Sequence, residues 1–558
     1  MIQRKSQYIN KGLNLLYNCK MIYDLNISLQ PEREKDSGYI NGRLLEELKK
    51  KLSPLPPKNE IEFVFVKRSV DARHGRVKII LRYRAYVGEK AESEMDKIPQ
   101  WKDADGNRTV VIIGSGPAGL FAALRLLEQG IKPVIVERGS STSKRKRDIA
   151  LISREGKVNA DSNYCFGQGG AGTFSDGKLY TRSNKRGDIG SVLQTFAYFG
   201  ADKKILTDAH PHIGTDRLPS IINAMCDLIG EKGGQVLFDT KCVHLITEEK
   251  NGRKRVLGIK VQDMIDGKER DIFGDSVILA TGHSAYDIYT MMAEEAPESL
   301  EAKTFAVGVR VEHPRETIDE IQYHDKNAAE KLGAAEYRVT SQQDGRGVYS
   351  FCMCPGGFVV PSASAPDEIV VNGMSAAKRN SAWSNAAMVV ETRPEDIPEE
   401  YVKEAEEKYR CPAMAGLLWR KRLENLTAIN GEGQKAPAQR LVDFLDDKKS
   451  TDLPKSSYTP GLHSSNLNDW LPPQISSRLK GAFREINGKM KGYICNDALL
   501  IATETRTSTP VRIKRDKESL ECTAISNLYP AGEGSGYSGG IVSSALDGIK
   551  VAEKICNI

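Results

Sequence analysis

Apolar residues recur along this chain with two different periods, and the change of period marks out its parts. Near the N-terminus, Leu25, Ile27 and Leu29 alternate with polar residues, which predicts a strand. Gly42 to Leu52 carries Leu44, Leu45, Leu48 and Leu52 on one face and is stopped by Pro54, Pro56 and Pro57, so a helix is expected. Ile61 to Val66 predicts a second strand. Val77 to Val87, with Val77, Ile79, Leu81, Tyr83, Ala85 and Val87 on one face, predicts a third. The order β-α-β-β predicts a small ferredoxin-like α+β module over 22–88. Residues 1–21, basic and polar, are expected to form a weakly ordered extension, and residues 89–108 a polar linker.

A continuous apolar run, Val110-Val-Ile-Ile113, then predicts a buried strand. Glycines at 114, 116 and 119 follow with G-x-G-x-x-G spacing. An Ala/Leu-rich helix runs to Glu128 and stops at Gly130, and a second strand, Pro133 to Glu137, comes next. Gly114 permits the tight turn, Gly116 lets a pyrophosphate approach the backbone, and Gly119 lets helix and strand pack closely. Ser115, Pro117 and Ala118 complete the turn and lead into the helix, whose N-terminus offers unpaired N–H groups to the pyrophosphate. Glu137 stands where an acid binds the ribose hydroxyls of the adenosine. Strand, glycines, helix, strand and acid in that order predict a dinucleotide-binding unit.

Composition adds bounds. The 558 residues suggest two to four domains. A hydrophobic content of 40%, a charged content of 28% and a net charge of +6 are ordinary for a globular enzyme, so bulk charge does not demand nucleic acid or membrane. The ten cysteines are scattered without C-x-x-C, which fits free thiols in a reducing cytoplasm. No apolar run reaches the ~20 residues of a membrane span, and no signal peptide is evident. The N-terminal module carries Lys67, Arg68, Arg73, Arg76, Lys78, Arg82 and Arg84. These residues suit an acidic partner or RNA, but equally a solvated sheet face, and the aromatic platform expected for RNA is not evident. His210 and His212 have no carboxylate or cysteine cluster at metal spacing, so no metal site is expected.

Later segments narrow the dinucleotide to FAD. Glu137-Arg138-Gly139 is an ending seen in many flavoproteins. Ile278-Leu-Ala280-Thr281-Gly282 resembles the short strand and turn that returns to the dinucleotide. Leu528-Tyr-Pro-Ala-Gly532-Glu533-Gly534, followed by Gly539-Gly540-Ile541 and a last helix, resembles the second FAD motif, with Glu533 where the wider class has Asp. Ser162 to Leu179 is a glycine-rich loop whose exposed N–H groups, around Gly169, Gly170 and Ser175, suit close contact with a flat ligand. Arg147, in the run Lys144-Arg-Lys-Arg147, either meets the phosphates or is simply solvated. Cys242 sits on a strand edge that, in the wider class, lays a backbone group against the adenine.

SNYCFGQGGAGTFSDGKL, SFCMCPGGFVVPSAS, VVNGMSAAKRNS, ETRTSTPVRI and GEGSGYSGGI together resemble the NAD(FAD)-utilising dehydrogenases, bacterial flavoproteins distantly related to the glutathione-reductase-type FAD fold. The resemblance covers nearly everything from residue 22 onward; Gln168 stands where an acid is expected. It implies an α/β, Rossmann-type FAD-binding domain from residues 109–284 and 501–558. An inserted α+β substrate or cap domain over 285–500 interrupts it. Mixed strands come first in the insert (Thr304–Val311, Val348–Phe351, Phe358–Val360, Glu368–Val371), then helical segments at 399–445 and 474–489. The central expectation is that Gly116 and Gly540 close over one nucleotide.

The implied activity is an FAD-dependent dehydrogenase passing hydride between flavin and a small-molecule substrate or a transient NAD(P)H, since no separate NAD(P)H-binding βαβ unit is present. FAD is expected to be non-covalent, although Cys165 and His283 are of the types that carry covalent links. Lys178, Arg182, His283, Arg379, Glu504 and Arg506 are candidates near the flavin. Lys178 and His283 would act as acid or base and Arg506 as an anion clamp; each also suits a structural ion pair. Cys352 and Cys354 are two apart, poor geometry for a disulfide on an extended strand, and are expected to line the pocket or pack. An RNA-binding or nucleic-acid-modifying flavoprotein and a non-catalytic flavin sensor remain as rival readings.

Overall fold

In the computed structural model, which describes residues 21–72, 77–91, 99–181, 187–250, 252–325 and 328–557, the N-terminal alternation forms a β-α-β-β layer. Strands β1 (Met21–Leu29), β2 (Ile61–Asp71) and β3 (Lys78–Val87) pair antiparallel with β3 in the centre. Helix α1 (Ser37–Lys51) lays Ile40, Leu44 and Leu48 on Leu25, Ile27, Ile79 and Leu81. It begins five residues before the expected start because Asp36 caps it, accepting from Tyr39 N at 2.9 Å; Gly38 and Gly42 had disguised that first turn.

The basic positions of this module are largely answered by acids. Arg68 pairs with Glu34, and Arg82 (2.6 Å) and Arg84 (3.4 Å) share Asp24. Arg73 and Arg76, residues 1–20 of the expected extension and residues 92–98 of the linker lie outside the described residues. The module docks on the rest of the chain through two backbone bonds, Arg68 N to Thr207 O and Ala209 N to Arg68 O, each 2.9 Å.

The dinucleotide unit folds as the periodicity predicts. Strand β4 (Thr109–Ile113), helix α2 (Pro117–Leu127) and strand β5 (Lys132–Val136) are followed by helix α3 (Thr142–Glu155), strand β6 (Gln235–Leu237) and strand β7 (Ser276–Leu279). The sheet runs Leu528–Pro530, β7, β4, β5, β6, all parallel. Apart from the edge strand β6, its strands are buried on both faces, which is why they read as continuous apolar runs. The last helix, α4 (Ile541–Cys556), crosses α2 at backbone contact. A Cβ on Gly548 would lie 2.0 Å from Ala118 O, so only glycine allows this approach.

Between β7 and Leu528 the chain builds a seven-stranded sheet. Its core is β8 (Phe305–Pro314), β9 (Arg346–Cys354), β11 (Trp383–Thr392) and β12 (Leu499–Glu504), in the order β9-β11-β8-β12. A separate ribbon pairs Phe358–Pro361 with β10 (Val371–Met374). Three features depart from the sequence reading. Glu368 precedes the strand rather than opening it. Residues 499–504 pair with β8, so the insert extends past residue 500. Leu499 to Glu504 is buried throughout, and a continuous buried run does not reveal which sheet it joins. Helices Ala415–Ile429 and Pro473–Lys489 pack on the sheet, Glu399–Tyr409 packs against Ala415–Ile429, and a strand, Ala436–Arg440, interrupts the first helical stretch. No helix among the described residues is long and apolar enough to cross a membrane.

Candidate functional site

One cavity lies where the parallel sheet, the glycine-rich loop and the insert meet, at the C-terminal ends of β4 and β7. Gly116 and Gly540 both line it, although they are 424 positions apart in the chain. Gly114, Pro117, Ala118, Glu137, Arg138, Gly170 and Ser175 line it as well, with Cys242, Ala280, Thr281, Gly282, Glu533, Gly539 and Ile541. Two helices begin on it: Gly116 caps α2 and Gly540 caps α4, so the unpaired N–H groups of both first turns face the same space. At Gly282, Gly539 and Gly540 an added Cβ would meet no protein atom within 4 Å, so the two turns that carry them form a backbone cradle. Gly114 has a φ of +106° and a Cβ there would lie 2.4 Å from Ala280 O. This position is closed to any other residue on both counts.

Ser115, Gly119, Gly139, Gly169 and Gly532, also expected at the cofactor, stand just behind the cavity wall. A Cβ on Gly119 would strike Gly114 O at 2.0 Å, and one on Gly139 would strike Gly167 N at 2.4 Å. Gly532 N donates to Asp547 at 2.8 Å. Glu137 stitches the loops together. One carboxylate oxygen accepts from Ser115 N (3.0 Å) and Ser115 Oγ (2.8 Å), the other from Gly139 N and Gly167 N (both 3.0 Å). Gly169 N in turn donates to Ser115 Oγ at 3.2 Å.

Arg147 is a correction: it is exposed on α3, away from the cavity. The buried member of the basic run is Arg145, wholly enclosed. It donates to the carbonyls of Asn163 (2.8 Å), Gln168 (2.9 Å) and Tyr164 (3.0 Å), so a guanidinium moulds the glycine-rich loop from beneath. Helical phase carried the signal, because Arg145 shares a face with Thr142, Ile149 and Ile152, the other buried residues of α3.

Residues 107–154 match the model of an FAD binding domain. Residues 304–507 match that of an FAD-dependent protein, C-terminal domain-like, and residues 21–86 match a domain of unknown function. An uncharacterized protein of Clostridium beijerinckii is 41% identical over 450 residues, 80% of each chain. The chain belongs to a family of FAD-dependent, oxidoreductase-like flavoproteins. The flavoprotein is also similar to a geranylgeranyl bacteriochlorophyll reductase-like protein of Thermoplasma acidophilum (11% identity, 80% of this chain and 77% of that one, TM-score 0.34). A flavoprotein/dehydrogenase of Cytophaga hutchinsonii matches to much the same degree (11%, 80% and 79%, TM-score 0.33).

The insert turns Phe351, Cys352, Asn372, Arg506 and Thr507 toward the same cavity. Arg506 differs from a free anion clamp. Its Nε (2.9 Å) and Nη2 (2.7 Å) hold both oxygens of Glu424, Nη2 also reaches Glu368 (2.8 Å), and Nη1 donates to Ser364 (2.7 Å). Burial pushes the Glu424 carboxyl up, but Arg506 and then Arg420 overcome it and hold the acid at about 2. His283 faces the cavity, with Nδ1 3.2 Å from Ser284 Oγ. Burial, aided by Arg420 and Arg506, pushes its pKa down to about 3, so the imidazole is neutral and resists protonation.

Lys178 does not line the cavity. It sits behind the Cys352–Cys354 segment, donating to Met353 O, 3.8 Å from Cys354 Sγ and 3.7 Å from Asp176. Arg379 pairs with Asp176 at 2.8 Å and with Glu336; Glu504 pairs with Arg310 at 2.9 Å; Arg182 lies outside the described residues. A bulge between Phe351 and Cys354 separates the two cysteines. Cys352 faces the cavity with its thiol pushed up to about 12 by burial, and Cys354 packs beside Lys178. His210 bonds Glu336 at 2.9 Å and His212 bonds Ala377 O at 3.2 Å. Cys165, considered in the sequence only as a type that could carry a covalent link, and Phe166, given no role there, also reach the cavity wall.

Proposed function

We propose that FAD lies along this cavity and exchanges hydride with a small substrate, and transiently with NAD(P)H, at the wall supplied by the insert. The observation that carries the reading is the shared lining: both helix N-termini and five insert residues face one space. Glu137, Arg138 and Cys242 would hold the adenosine end. Arg138 is steadied there by the Phe166 ring, 4.5 Å from its guanidinium carbon. The α2 N-terminus with Gly116, Ala118 and Gly170 would hold the pyrophosphate, and Ala280 to Gly282, Glu533 and Gly539 to Ile541 the ribityl and ring end. When bound, FAD supplies the two-electron chemistry.

The chain's own side chains then orient and insulate. Neutral His283 is a hydrogen-bonding group at the cavity wall rather than a base, because its ring resists taking up a proton there. The Arg506–Glu424–Glu368 cluster fixes the wall without offering a free charge, and Phe351 and Ile288 exclude water. Lys178 acts as a positioning residue for the Cys352–Cys354 segment. The described cysteines are all unpaired, which supports a reducing compartment such as the cytoplasm. The decisive test is to denature the purified protein and identify the released nucleotide, then to mix the holoprotein anaerobically with NADH or NADPH. FAD release with rapid bleaching supports the whole reading. Absence of FAD overturns it, and FAD that neither donor bleaches removes NAD(P)H from it.

A further inference from the structure

The insert wall is almost spent. Arg506 is saturated by two acids, a hydroxyl and the Cys165 sulfur (3.6 Å), and Thr507 Oγ1 donates to Ala306 O at 2.8 Å. Phe351 is apolar, and Cys352 keeps its proton. Asn372 differs. Its Oδ1 accepts from Gly373 N at 2.7 Å and from Arg310 Nη2 at 3.2 Å. Both partners can only donate, so the oxygen must face them and the orientation of the amide is fixed. Its NH2 makes no hydrogen bond to protein among the described residues, and Asn372 is half-buried on the cavity wall.

The support beneath it is rigid. Arg310 is wholly buried and is held by Glu504 (2.9 Å), Asn385 Oδ1 (2.7 Å) and the Cys352 carbonyl (3.2 Å). The absence of a side chain at Gly373 lets β10 lie directly on that guanidinium; a Cβ there would sit 2.2 Å from Arg310 Nη1.

We propose that Asn372 is the specificity-determining donor of the substrate chamber, and that the chamber takes an uncharged molecule presenting a carbonyl oxygen, as in a ketone, quinone or amide, rather than a carboxylate or phosphate. The proposal rests on the FAD reading given above. An anion entering here would lose its hydration and find no free cation on the insert wall, whereas a neutral carbonyl needs only the N–H groups that Asn372 holds ready. A site built to donate to one oxygen discriminates strongly when that match is lost.

The test uses FAD-loaded protein and two probes with the same ring, benzamide and benzoate, read by perturbation of the flavin absorption spectrum. Benzamide is expected to bind at least about tenfold more tightly than benzoate. Asn372→Asp keeps an oxygen toward Gly373 and Arg310 but replaces the donor by an acceptor. It should retain FAD and lose benzamide binding by about tenfold or more. Asn372→Leu should lose it as well, with FAD retention reporting that the fold survives. Benzoate binding the more tightly, neither probe binding, or either variant leaving benzamide unaffected would overturn the proposal. So would an Asn372→Asp spectrum shifted before any probe is added with benzamide affinity intact, because the donor would then belong to the isoalloxazine. A preparation that takes up no FAD fails the underlying reading instead, and is recognised before any probe is added.

Discussion

The two walls of the cavity are made by different means. The nucleotide wall is backbone: glycine turns, two helix N-termini and strand ends, with Glu137 accepting four hydrogen bonds to hold the loops in register. The insert wall is side chain: Arg310, Arg420 and Arg506 are all but wholly buried and rest on Glu504, Glu424 and Glu368. A backbone wall is fixed by local geometry and tolerates few substitutions at its turns. A wall of paired charges stands only while every partner stays, because each buried ion has given up its water.

Removing a partner on the charged side should have the largest effect. Glu424→Ala leaves Arg506 and Arg420 short of an acid in a buried site and should cost about 3–5 kcal/mol in chemical denaturation; a cost below ~1 kcal/mol would mean that water repairs the cluster and the contrast between the walls is false. On the backbone side, Gly114→Ala forces a Cβ against Ala280 O at a positive φ. An overpacking cost of about 1–3 kcal/mol should appear as FAD binding weakened some tenfold or more in a fluorescence titration, while the insert stays folded.

A smaller, pH-dependent effect should mark Glu533. This acid faces the cavity and, with burial outweighing the pull of Lys303, is raised from 4.5 to about 7. An acid raised on folding binds its proton more tightly in the folded state. The penalty of burying it is therefore absent below pH 4.5, grows between 4.5 and 7, and is complete above. Cofactor-free Glu533→Gln should be more stable than the parent at pH 8, by on the order of 2 kcal/mol, and should melt at the same temperature as the parent near pH 4.5. Equal melting at both pH values would place the carboxyl in contact with water. Arg147→Ala should be the smallest perturbation, within ~0.5 kcal/mol and without change in FAD affinity.

The same contrast explains what could be read in the sequence. The nucleotide wall is written in short spacings: Gly114, Gly116 and Gly119 within six positions, and Gly539-Gly540-Ile541 just ahead of α4. Local spacing is enough because the geometry is local. The insert wall depends on contacts between Arg310 and Glu504, or between Arg506 and Glu368, far apart in the chain, and no period records who meets whom. Arg506 was legible as a functional position, yet its two acids were not, so an anion clamp was expected where a neutralised strut is found. Arg145 is the intermediate case: a helical projection would have separated it from Arg147, because one faces Ile149 and Ile152 and the other faces solvent.

The order of the parallel sheet also bears on how the molecule is made. Leu279 and Pro530 are neighbours across a strand pair, and about 250 residues of insert lie between them in the chain. A polypeptide growing on the ribosome past residue 500 has emitted the first helix cap and nearly all of the insert, but neither the strand Leu528–Pro530 nor the second cap at Gly540. The insert therefore has time to fold before the pocket can close, and closure awaits a contact of long sequence separation, the slow kind to form. A messenger cut short before codon 541 would yield a chain that carries the familiar glycine fingerprint and still has half a socket for its nucleotide.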